Sequence, residues 1–201
     1  MKEAIDYLTD IDPKLKTAIT TVGALDLSAS GKVYYDLLES IVSQQLSVKA
    51  AATIFNRFLG LFPDQYPHPE ILSALDIPTL RSVGLSNQKA AYLKNVAEFS
   101  QKLDLENHPW HDLGDTEIVA LLTQIKGVGT WTVQMLLMFT LGRPDVLPVD
   151  DLGIQQGMAK LYGLEETGKD LKKKMVQVAE PWRPWRTVAC RYIWRWKDAA
   201  P

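Results

Sequence analysis

Two adjacent carboxylates, Asp150 and Asp151, follow Pro148-Val149 and open a segment with helical spacing. A fixed carboxylate beside a bond whose rupture builds positive charge stabilises that charge and can orient a water. An aspartate before a helix also caps it, for about 1 kcal/mol. A cap accounts for one aspartate and not for two, and on residue chemistry alone both readings stand. Upstream, Lys126-Gly127-Val128-Gly129-Thr130 joins two helical segments. Glycine permits positive φ and a close approach of another backbone. The turn ends at the N-terminus of the Thr130 segment, where unpaired N–H groups and the helix dipole can seat a phosphate. An ordinary tight turn between helices would use glycines in the same way.

Six tryptophans add a third ingredient, and Trp182, Trp185, Trp194 and Trp196 lie near the C-terminus. Aromatic faces attract cations by about 0.5–2 kcal/mol per contact; core packing is the alternative, and it is assigned to Trp185. The same region is basic. Lys172 to Lys197 carries eight Lys/Arg against the single acid Glu180, a local +7 in a chain of net charge −2, which leaves −9 elsewhere. That asymmetry predicts a face that meets an anion, with a merely solvated helix as the other reading. His108 and His111 flank Trp110 but lack further ligands for zinc. Cys190 is the only cysteine, so no internal disulfide and no cysteine-ligated iron–sulfur cluster can form.

These residues need a scaffold, and the 201-residue chain reads as helical nearly throughout. Apolar residues at helical spacing predict helices over 33–42, 48–59, 78–83, 87–102, 116–125, 130–141, 152–162, 169–179 and 184–197. Ser47 is placed to cap the second of these. The 130–141 segment is apolar nearly all round and should be central and buried. Pro63, Pro67 and Pro69 predict a loop. No strand and no internal repeat is evident. Hydrophobic residues make up 46% of the chain, which argues against disorder. No apolar run is long enough to span a membrane, and the acidic N-terminus is unlike a signal peptide. The expected location is cytoplasmic and nucleoid-associated, or nuclear in a eukaryote.

The stretch from Leu121 to Ile154 resembles the helix-hairpin-helix DNA glycosylase superfamily, in which the hairpin is followed by a Gly/Pro-rich loop and a catalytic aspartate. In detail it resembles the 3-methyladenine DNA glycosylase II family, in a short form without an N-terminal α+β domain. The hairpin matches Ile125 to Thr132, and the Pro-x-Asp-Asp segment matches Pro148 to Asp151. Ser43-Gln44-Gln45-Leu46-Ser47-Val48-Lys49-Ala50-Ala51 is a second match. Gly84-Leu85-Ser86 with Lys89-Ala90 and Tyr92-Leu93 is a third, and Pro184-Trp185-Arg186 with Tyr192-Ile193-Trp194 a fourth. The matches span about residues 34–196 and fall in the family's order.

The resemblance implies an all-α fold of two helical lobes with a DNA-binding cleft. One lobe is expected over 36–145, with the helix-hairpin-helix at 116–141; the other combines 1–35 with 146–201. Catalysis falls to Asp151, because Ile154 supplies the apolar residue expected three positions on, and Asp150 is left to support or cap. Two positions after Gly129, superfamily members that also nick DNA carry a lysine, which forms a Schiff base with the sugar. Here Trp131 stands there, which implies a monofunctional enzyme that leaves an abasic site. Trp131 and Trp194 should wall the base pocket. Met135 replaces a tyrosine found in some relatives, which leaves the damage spectrum open. Gln45, helped by Leu46, should fill the gap left by an extruded base. Lys126, Gly127, Val128, Gly129 and Thr130 should bind phosphate. The carbonyls of Thr123, Ile125 and Val128 should hold a monovalent structural cation; no other cofactor is implied. The expected function is excision of alkylated bases, of 3-methyladenine and 7-methylguanine type, from double-stranded DNA by a monomer in base excision repair. A glycosylase for other damaged or mispaired bases, and a non-catalytic DNA clamp with this hairpin, are the rivals. Only an enzyme needs Asp151.

Overall fold

The computed structural model describes residues 2–199, and among them every regular element is helical. They form two compact units, one of Ser30–Leu136, the other of the residues up to Ala29 with those from Leu137 on. No described helix is long and apolar enough to cross a membrane.

The Ser30–Leu136 unit holds α3 (Val33–Ser43), α4 (Val48–Leu59), α5 (Pro69–Ala74), α6 (Ile77–Ser82), α7 (Asn87–Leu103), α8 (Asp115–Leu122) and α9 (Thr130–Met135). α7 packs against α3, α5 and α6, α3 against α4, and α8 against α9. Starts are set locally. Ser47, Asp76 and Ser86 each accept the N–H three residues on, satisfying donors that a helix leaves unpaired. The proline-rich stretch is a loop only in part: Pro69 opens α5, at a position where its missing N–H costs nothing. Trp110 is buried and donates through Nε1 to the Leu105 carbonyl at 3.0 Å. His108 lies edge-on against it, with ring centroids 4.5 Å apart.

The other unit contains α1 (Lys2–Ile11), α2 (Pro13–Val22), α10 (Leu152–Tyr162), α11 (Gly168–Ala179) and α12 (Arg186–Ala199). α12 packs on α2 and α10. Its core includes Leu8, Leu15, Ile154, Met158, Trp182 and Ile193. Asp12 is its polar centre. One carboxylate oxygen caps α2 through Leu15 N–H at 2.9 Å. The other accepts from Trp182 Nε1 at 3.0 Å and from the Tyr162 hydroxyl at 2.8 Å. Burial, reinforced by this bond to Asp12, pushes the Tyr162 hydroxyl well above its ordinary pKa. Trp182 is thus the C-terminal tryptophan that fills the core, whereas Trp185, assigned there from sequence, is only half-buried.

The helix expected over 130–141 is α-helical only to Met135 and continues as a π-helical turn over Leu136–Thr140. Such a turn takes in an extra residue and rotates the side chains beyond it about the helix axis. The unit boundary falls inside this run, at Leu136/Leu137, and not at 145/146. The reason is packing: Phe139 lies against Trp194, with centroids 5.7 Å apart, and the loop after Thr140 is tied to α12.

Candidate active site

The two aspartates are separated by their surroundings. Asp150 is exposed and ion-paired with Lys172. Asp151 is buried, with 5% of its surface exposed. It, and not Asp150 as expected, is the N-cap of α10: the cap needs an oxygen facing the Ile154 N–H, and Asp151 Oδ1 accepts it at 2.8 Å. The turn before it is closed by Asp151 N–H donating to the Pro148 carbonyl at 3.0 Å. The carboxylate is therefore fixed in direction by local backbone.

Trp194 reaches the same place from α12. A Cβ on Gly153 would lie 2.0 Å from Trp194 Nε1, 2.7 Å from its Cδ1 and 3.1 Å from Asp151 Oδ1. The indole edge occupies the space that any other residue at 153 would fill. One turn later, a Cβ on Gly157 would fall 2.6 Å from Ile193 Cγ2. Two glycines four apart thus let α12 approach α10 closely. Phe139 tilts against Trp194, and the Arg191 guanidinium sits 4.8 Å over the Phe139 ring. Leu25, Phe139, Arg191, Trp194, Arg195 and Asp198 line a pocket of about 220 Å³.

The Gly/Pro-rich loop that leads to the aspartates is tied down. Asp145 accepts from Arg186 Nε at 2.6 Å and from Arg183 Nη1 at 2.6 Å. Thr187 Oγ1 donates to the Arg143 carbonyl at 2.6 Å and accepts from Val146 N–H at 2.9 Å. These bonds engage part of the expected basic face. Arg183 and Arg186 neutralise Asp145, Lys172 neutralises Asp150, and Lys197 lies 2.7 Å from Asp198. Arg191 donates to the Asp26 carbonyl at 2.7 Å. Several of these cations thus have partners within the protein, and a net positive charge remains on the stretch.

In the other unit the hairpin has two unlike glycines. Gly127 has φ +106°, and a Cβ there would fall 2.2 Å from Tyr92 Cγ. Conformation and packing both demand glycine. Gly129, the N-cap of α9, has φ −98° and open space where a Cβ would stand. The expectation of positive φ holds for Gly127 and not for Gly129. Ile125 and Val128 are buried, so Val128 can offer a ligand only its backbone. Lys126, Gly129 and Thr130 are exposed, and Asn95 Nδ2 holds the Lys126 carbonyl at 3.0 Å. Trp131 is 39% exposed, large for an indole, and Met135 is half-buried.

Between α3 and α4, Gln45 is exposed with φ +59°, a left-handed backbone that costs a non-glycine residue roughly 1–2 kcal/mol. Leu46 beside it is also exposed.

Residues 38–184 match the family described as HhH-GPD superfamily base excision DNA repair protein. The chain is 36% identical, over 94% of its length and 84% of the relative's, to DNA-3-methyladenine glycosylase 1 of Schizosaccharomyces pombe. It is 33% identical to the putative DNA-3-methyladenine glycosylase YfjP of Bacillus subtilis, over 81% of this chain and 58% of that one. The solved structure of the S. pombe 3-methyladenine DNA glycosylase Mag1, in complex with abasic DNA, superposes with a TM-score of 0.83 at 36% identity, covering 96% of this chain and 95% of that one. The chain belongs to the HhH-GPD superfamily of base excision DNA repair proteins.

Within this HhH-GPD chain, the unit with α10 and α12 brings together Asp151 and Trp194. The Ser30–Leu136 unit carries Gln45, Leu46, the hairpin, Trp131 and Met135. Sequence reasoning missed Gly153, Phe139 and Asp145. Gly153 had a signal: a glycine in the first turn of a helix costs about 1 kcal/mol relative to alanine, so it invites the question of what lies against it. Nothing in the sequence pairs Asp145 with two arginines so far along the chain.

Proposed function

We propose that this HhH-GPD protein is a monofunctional DNA glycosylase that hydrolyses the N-glycosidic bond of alkylated bases, of 3-methyladenine and 7-methylguanine type, in double-stranded DNA. The observation that carries the reading is the buried, backbone-oriented carboxylate of Asp151 with the Trp194 indole packed beside it across Gly153. As the glycosidic bond lengthens, the sugar becomes oxocarbenium-like. Asp151 stabilises that charge and orients the water that attacks the sugar. The bonding pair leaves with the base. An N-alkylated purine is already cationic, so it departs neutral and needs little help from an acid. Trp194, packed beside Asp151, would offer such a base its π face. Trp131 in place of an amine supports hydrolysis without strand cleavage.

The exposed Lys126, Gly129 and Thr130, with the N–H groups that open α9, would take the DNA phosphate. Gln45 and Leu46 would enter the stack as the base leaves it. A monovalent cation fits the hairpin. Thr123 ends α8, so its carbonyl is one that the helix leaves unpaired. Ile125 accepts only from Val128 N–H among the hairpin's backbone bonds, at 3.0 Å, and keeps a second lone pair. With the Val128 carbonyl these would hold the ion, which would supply positive charge toward a phosphate.

The test is to incubate the protein with methylated duplex DNA and chromatograph the free bases. Release of alkylated purines is expected, with strand breaks only after alkali and no covalent adduct trapped by borohydride. Intact alkylated DNA, or a trapped adduct, would refute the reading.

A further inference from the structure

Lys89 stands at the third position of α7, where Ser86 Oγ accepts its backbone N–H at 3.2 Å. A cation in the first turn of a helix opposes the helix dipole. Its ammonium does not face solvent freely. It turns back and donates to the carbonyls of Val42 and Gln44, at 2.7 Å each. Those carbonyls lie at the C-terminal end of α3, where cations are favoured. Partial burial holds the Lys89 pKa below its ordinary value.

The tethered segment is the loop that carries Gln45. Gln44 N–H donates to the Ser40 carbonyl at 3.2 Å, and Leu46 N–H to that of Ser43 at 3.1 Å. Between them Gln45 keeps its left-handed φ of +59°. The loop borders an open pocket of about 230 Å³, lined also by Ile54, Leu85 and Lys89. Lys89 forms part of the pocket wall and bonds to the loop. A left-handed backbone at the rim of an open pocket persists only if something over-determines it, and the two charge-assisted bonds from Lys89 do so.

We propose that Lys89 is a positioning residue for base extrusion: by donating to the Val42 and Gln44 carbonyls it locks the loop so that Gln45 and Leu46 can fill the space a base vacates. The proposal rests on the glycosylase reading. It predicts a defect that depends on whether the target base is paired. The experiment compares kcat/KM on one alkylated base placed either in duplex DNA or in an unpaired position, with melting curves for each variant. Lys89→Met keeps the stem and removes the donors. It should lose about tenfold or more on duplex and little on the unpaired lesion. Lys89→Arg should recover part of the loss, and Gln45→Ala, at an exposed site, should show the same duplex-only defect. An equal loss on both substrates, or wild-type rates on duplex, overturns the assignment; if Lys89→Met does not fold, the ratio for Lys89→Arg against Gln45→Ala decides in the same way. A wild-type protein inactive on both substrates would instead overturn the glycosylase reading and the Lys89 assignment with it.

Discussion

At the scale of single residues, the two neighbouring aspartates do different work. Asp151→Asn keeps a side chain that caps helices as well as aspartate does, so the melting temperature should hold. It removes the charge opposite the sugar, and base release should fall by roughly 10²–10³-fold, about 3–4 kcal/mol. Asp150→Asn breaks only an exposed ion pair with Lys172, worth up to about 1 kcal/mol, and should leave release near wild type. Single-turnover excision assays on the two variants check this, and a reversal of the two phenotypes would move catalysis to Asp150. Gly153 gives a second residue-scale prediction. Alanine gains about 1 kcal/mol of helix propensity, yet its methyl would overlap the Trp194 indole. Gly153→Ala should therefore lower excision, and its net change in stability should be a loss of about 1–2 kcal/mol, within the range for overpacking. Unfolding curves beside the excision assay read both effects. A stable, fully active Gly153→Ala would mean that the position of Trp194 is irrelevant to the chemistry.

At the scale of elements, the hairpin separates a glycine that folds the protein from one that leaves room. Gly127→Ala meets Tyr92 and a forbidden φ and should destabilise by about 2 kcal/mol or more, the sum of strain and overpacking. Gly129→Ala meets nothing. It should lose only the few tenths to about 1 kcal/mol by which alanine is the poorer N-cap, and yet bind damaged and undamaged DNA more weakly, since a phosphate approached by backbone carries no sequence information. Binding loss confined to damaged DNA would contradict this. Elements also mark how far sequence could be read. The hairpin and most helix bounds are local, set by glycines, caps and periodicity, and were legible; the cap of α10 was assigned to Asp150 and falls to Asp151. α1 and α2, short and polar, went unread, although Asp12-Pro13 at the start of α2 is an N-cap followed by proline, a local signal that could have found it. The π-helical turn after Met135 left no sequence signal, because an apolar run reads alike for either winding. The meeting of Gly153 with Trp194 joins distant stretches of chain, and only tertiary packing reveals it.

At the scale of the molecule, the charge asymmetry was visible but its use was not. The net charge of −2 and the basic C-terminal stretch suggested a patch for an anion. The structure gives three of its eight cations, Arg183, Arg186 and Lys172, partners within the protein. DNA affinity should then be less sensitive to these cations than their number implies. The slope of log Kobs against log salt changes by about one unit for each phosphate contact removed. Lys126→Gln should lower that slope by about one unit, while Lys172→Gln should leave it unchanged and Arg183→Gln should act chiefly through stability. Salt titrations of binding to undamaged duplex distinguish the three.

The two glycines of α10 carry one further consequence, in the order of assembly. Gly153 and Gly157 together cost an isolated α10 about 2 kcal/mol of helix propensity, so the segment has little reason to coil before α12 docks on it. The hairpin has no such dependence, since its turn is fixed by Tyr92 and Asn95 of its own unit. A nascent or partly unfolded chain would therefore hold a competent DNA grip before it had an oriented carboxylate. Under mild denaturant, occupancy of DNA should outlast turnover, and such a chain would sit on damaged and undamaged DNA alike as a silent blocker.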